Sequence, residues 1–119
     1  MKITEVYGEC NESDVSVCSS VVIYEDKGSE HSLEIRYPAS CQKEVASRFS
    51  LPINNIVHII SLACIIKYPE YKHRTSIFLN KEEILLVFEE LNLDLIQKLY
   101  RNINETGWVE LDSTLVYFQ

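Results

Sequence analysis

Residues 53–66 constrain this chain more than any other stretch. They form its longest apolar run, interrupted only by Asn54, Asn55, His58 and Ser61. Wound at 100° per residue, His58, Ser61 and Ile65 share one partly polar side, and the rest is apolar nearly all round. A helix with no wet face has to be surrounded by other elements. The sequence therefore predicts a helix over residues 55–67 at the centre of the domain, capped by Asn54 or Asn55. The run is too short and too polar to span a bilayer.

Around that helix the pattern alternates at other periods. Residues 2–7 read as a strand. In residues 15–25, Val15, Val17, Val21 and Ile23 point to one face, while Ser16, Cys18, Ser20 and Tyr24 point to the other. Asp26-Lys27-Gly28-Ser29 reads as a turn, and residues 31–37 return as a second strand. Ser40 can cap a helix over residues 41–49, which Pro52 ends. Residues 75–79 read as a strand, and Asn80 caps a helix over 81–91 with Ile84, Val87, Phe88 and Leu91 as its core stripe. The stripe resumes at Leu95, Leu99 and Ile103, so residues 81–103 are one helix or two broken near Asn92. Gly107 stops the pattern. Residues 108–111 and 114–118 read as a closing hairpin. The expected fold is α+β, a single domain over residues 1–119. Its order is β-β-β-α-α-β-α-β-β, with a mainly antiparallel sheet packed against helices around the apolar one.

The net charge of −7 over 119 residues argues against a nucleic-acid binder, whose affinity rests on neutralising phosphates. Acidic ends flank a mildly basic middle: residues 1–30 carry 2 cations against 7 acids, residues 31–80 carry 6 against 3, and residues 81–119 carry 3 against 8. Residues 1–9 contain no apolar leader core, and the expected compartment is the cytoplasm. Cys10, Cys18, Cys41 and Cys64 form no CxxC pair, so four reduced thiols are expected, with a Cys10–Cys18 disulfide as the alternative.

No constellation carries catalysis. His31, His58 and His73 pair with no nucleophile by spacing, and the glycines are isolated. Adjacent carboxylates such as Glu82 and Glu83 diverge on a helix. Glu9, Glu12 and Asp14 offer oxygen ligands but lack the EF-hand spacing. The expectation is no enzyme, no cofactor and no metal. Residues 67–74 interleave cations with aromatics as single-strand nucleic-acid platforms do, yet they read better as a surface loop in an acidic chain.

The informative feature is the helix over residues 81–91. Opposite its core stripe, one sector holds Glu82, Glu83, Glu89 and Glu90 around Leu86, with only Lys81 nearby. Glu82 and Glu83 favour the helix dipole, whereas Glu89 and Glu90 have no such reason to be there. An apolar residue ringed by uncompensated acid suits a basic partner. The acidic turn at Glu25 and Asp26 and the loop at residues 9–14 are the other candidates.

In these traits the chain resembles the small acidic immunity proteins of bacterial toxin–immunity systems, contact-dependent growth inhibition included. It shares their single acidic domain without catalytic machinery. Its isoleucines (13) outnumber its alanines (3), as in AT-rich acquired loci. The resemblance implies a non-catalytic protein that binds one cognate toxin domain, often a basic nuclease, and occludes its active or substrate-binding surface. It implies no contact with nucleic acid or membrane and leaves the oligomeric state open. A non-catalytic adaptor or subunit, a viral or phage inhibitor and a small enzyme are the alternatives.

Overall fold

The computed structural model describes residues 1–10, 17–111 and 116, with residues 9 and 10 by their backbone alone. Strands β1 (Lys2–Cys10), β2 (Val17–Asp26) and β3 (Ser29–Pro38) form an antiparallel meander. Asp26 pairs with Ser29, so Lys27 and Gly28 alone make the β2–β3 turn. Their φ values of 53° and 79° are the two positive angles that a primed two-residue hairpin needs. A bulge between Ile3 and Glu5 makes Thr4 the extra residue. Ile3 and Val6 can both reach the core because of it, although their spacing of three is wrong for a regular strand.

Strand β4 (Ser76–Phe78) pairs parallel with β3, and β5 (Val109–Glu110) pairs antiparallel with β1. The fold is thus α+β, with a mixed sheet ordered β4-β3-β2-β1-β5 in which one of four pairings is parallel. Of the expected closing hairpin, Val109 and Glu110 form a strand, and they pair with Ile3 and Lys2. Residues 112–115 and 117–119 lie outside the described residues, as do residues 11–16 of the acidic loop.

Helix α1 (Cys41–Arg48) buries Cys41, Val45 and Ala46. Ser40 occupies its cap position in a helical conformation without a side-chain bond, so the expected cap is absent. Asn55 likewise makes no side-chain cap for α2 (Ile56–Lys67). A single tight turn over Ile53–Asn55 runs into that helix and already satisfies backbone groups. From Ile59 to Ile66 every side chain of α2 is buried. Its one polar member there, Ser61, donates to the His58 carbonyl at 2.8 Å. The helix lies on β1 and β2 and touches α1 and two further helices, α3 (Lys81–Glu90) and α4 (Leu93–Thr106).

Asn80 and Glu83 form a reciprocal capping box at the start of α3. Leu91 then turns extended, and Asn92 accepts from the Leu95 N–H at 3.3 Å to start α4. Residues 81–103 are therefore two helices. Gly107 closes α4 with φ of 90°, its N–H donating to the Ile103 carbonyl. No helix among the described residues is long and apolar enough to cross a membrane.

Candidate partner-binding surfaces

Strand β2 shows which sheet face the helices leave uncovered. Its core side carries Cys18, Ser20, Val22 and Tyr24, all buried, whereas Val17, Val21 and Ile23 remain partly exposed. The valine-rich side therefore points away from the helices. Ser20 explains the choice. Its buried hydroxyl is hydrogen-bonded to the Val57 carbonyl of α2 at 2.9 Å and to the Tyr37 hydroxyl at 3.2 Å, which removes the usual penalty for a polar group in a core. Burial pushes the Tyr37 phenol well above its ordinary pKa, keeping it neutral there.

The outer face can be read row by row from the register. Glu25 stands opposite Glu30, and Ile23 lies between Glu5 and Ser32. Tyr7, Val21, Glu34 and Ser76 make the next row, then Ser19, Arg36 and Phe78. Tyr7 is 42% exposed and Phe78 56%. Glu34 accepts from Ser19 Oγ at 2.8 Å and from Ser76 Oγ at 3.2 Å, fixing its carboxylate beside Val21. Glu5, Glu25, Glu30 and Glu34 thus border an apolar centre. The cations there are Arg36 and Lys2, the latter 3.9 Å from Glu25 and lying over the Trp108 ring. Sequence reasoning named Glu25 but missed Glu5, Tyr7, Val21, Ile23, Glu30 and Glu34. The signal was the unbroken run Val21-Val22-Ile23, which makes both faces of one strand apolar.

On α3, Leu86 is 44% exposed, on the side opposite the buried Ile84, Val87 and Phe88. The acids around it are not uncompensated as expected, because cations from the basic middle reach them. Arg48 pairs with Glu89 at 3.0 Å and Lys67 pairs with Glu90. Glu83 is engaged in the capping box, and Lys81 turns to Glu44 at 2.6 Å. Glu82 stays exposed. Helical spacing shows which residues share a face but not which neighbouring elements send cations to it. Asp26 of the hairpin turn pairs with Lys72 at 3.3 Å, and the hydrogen bond from Lys72 lowers its carboxyl pKa.

Among the described residues, the two free thiols are buried. Burial raises the thiol pKa of Cys41 and of Cys64, which disfavours the thiolate in both. The expectation of four free thiols is corrected at Cys18, which is disulfide-bonded. The β1–β2 ladder brings the Cα of Cys10 opposite that of Cys18, the pair that the sequence offered as the alternative to free thiols. His58 stacks on Tyr100, with ring centroids 5.6 Å apart, and burial lowers its pKa. Among the described residues no three His, Cys, Asp or Glu side chains gather as a metal site.

In residues 67–74, Tyr68 and Tyr71 pack on each other at 5.2 Å, and Arg74 lies over Tyr71. Compared with protein-family models, with curated proteins and with solved structures, the chain matches none of them.

Proposed function

We propose that this chain is a non-catalytic binding protein that neutralises a cognate, basic toxin domain of nuclease type by covering its active or substrate-binding surface, in the manner of immunity proteins. One observation carries the reading: an apolar centre of Tyr7, Val21 and Ile23 bordered by Glu5, Glu25, Glu30 and Glu34 on the outer sheet face. Glu25 and Glu30 stand directly opposite each other, an arrangement that disfavours the hairpin on its own and favours a cationic partner. The acids steer encounter and take the places of phosphates on the toxin, while Tyr7 and the aliphatic side chains supply the desolvated anchor. Leu86 and Glu82 on α3 form a smaller second face of the same character.

The disulfide at Cys18 weighs against a cytoplasmic location, since such bonds persist in oxidising compartments. The binding reading holds in either compartment. Co-expression with the product of the adjacent reading frame tests it. The expected result is a one-to-one complex that blocks the partner's activity and is lost in a Val21→Asp, Glu34→Lys variant that still folds. A complex that survives both changes would overturn the assignment to this face, and the lack of any complex would overturn the function.

A further inference from the structure

We propose that the pocket between the β2–β3 hairpin and the turn over Pro69–His73 binds a phosphate-monoester dianion. This site is separate from the acidic face and has the opposite sign. It is a cavity of about 200 Å³, open to solvent on one side. With about 30 Å³ per water molecule in the liquid, that is room for a phosphate group and a few waters.

Its wall is built around an ion pair already closed on itself. Asp26 and Lys72 meet at 3.3 Å, and the Tyr24 hydroxyl donates to the Lys72 carbonyl, which ties the turn to the hairpin. The other lining residues that carry donor groups are His31, His73, Arg74 and Thr75. Two of these are held by ring contacts. His31 stacks on Tyr24 at 5.4 Å, and the Arg74 guanidinium lies over Tyr71 at 5.5 Å. Among the described residues His31, His73 and Arg74 make no ion pair and no side-chain hydrogen bond, in a chain that carries seven more acids than cations. A guanidinium fork, two imidazoles and a hydroxyl meeting in one concavity match the three terminal oxygens of a monoester. A diester strand fits less well: it offers two such oxygens and a single charge, and the neighbouring tyrosines are packed on each other rather than free to stack bases.

Titrating the whole chain with inorganic phosphate, at ionic strength balanced with chloride, and following backbone amides by NMR tests the site. Saturable shifts at His31, His73, Arg74 and Thr75 are expected. Arg74→Gln should weaken them at least about tenfold, the worth of one charge-assisted hydrogen bond, and Lys98→Gln on α4 should leave them unchanged. Methyl phosphate should compete and dimethyl phosphate should not. Non-saturable shifts, or equal affinity in a folded Arg74→Gln variant, would overturn the site. Equal competition by dimethyl phosphate would overturn the monoester class.

Discussion

Gly8 of β1 lies directly beneath Val57 of α2, so close that a methyl group on Gly8 would collide with Val57 Cγ1 and press on the Ser19 carbonyl. Gly8 pairs with Ser20, the residue whose hydroxyl reaches the Val57 carbonyl, so sheet and helix meet closely at these three residues. Gly8→Ala is expected to destabilise the fold by about 1–3 kcal/mol, as overpacking of a filled core does. Val57→Ala in the same chain should recover part of that loss, because the two positions share one contact. Urea unfolding of the two single variants and the double variant measures the coupling. Strictly additive effects would show that the approach is not the cause.

Thiol labelling separates the cysteines. In the folded chain at mild alkaline pH, Cys41 and Cys64 should alkylate slowly, since burial raises both pKa values and the thiolate is the reacting species. In denaturant without reductant both should label at once. Cys18 should label only after reduction. Mass mapping of the modified peptides reads all three, and labelling of Cys18 without reductant would remove the disulfide from the account.

How much of this could be read beforehand follows from what each signal measures. Local chemistry was legible: Asn80 caps α3, Gly107 ends α4, and Ile84, Val87 and Phe88 are buried on the expected stripe. The turn at Lys27-Gly28 was legible for the same reason. The orientation of β2 was not, because apolar content assigns Val21 and Ile23 inward, while the core takes Ser20 by satisfying its hydroxyl from another element. The ion pairs Arg48–Glu89 and Lys67–Glu90 join residues 41 and 23 positions apart, a distance over which charge patterning along one helix carries no information. The outer face is spread over β1, β2, β3 and β4 and exists only once the register is known.

His58 is expected to give the chain a pH dependence near neutrality. Its Nδ1 is buried without a hydrogen-bond partner, and burial lowers its pKa below the usual 6.5, so the folded state prefers the neutral ring. The unfolded chain then binds more protons on acidification. The contribution is fully present above the unfolded pKa and is lost as pH falls toward the lowered folded value. The urea midpoint should therefore drop between about pH 7.5 and pH 5.5, a range above carboxylate titration. His58→Gln should flatten part of that slope. An unchanged slope would show that His58 is indifferent to its surroundings.

Glu25 and Glu30 allow the binding face to be told from an ordinary solvated one. Directly opposed like charges disfavour a strand pair, and Lys2, 3.9 Å from Glu25, offsets only part of this. Glu30→Lys turns the repulsion into a cross-strand attraction, so it should stabilise the fold by about 0.2–1 kcal/mol. If the acids serve a basic partner, the same change should slow association and weaken its salt dependence, leaving dissociation nearly unaltered. Tyr7→Ala should act in the opposite sense, speeding dissociation while the salt dependence stays as it was. A variant more stable than the parent but slower to bind is the mark of charge retained for a partner at the expense of the fold. Thermal unfolding and surface-immobilised kinetics on the same samples read both quantities. Should Glu30→Lys stabilise the chain without touching association, the outer face is solvated surface, and the partner has to be sought at Leu86 and Glu82 on α3.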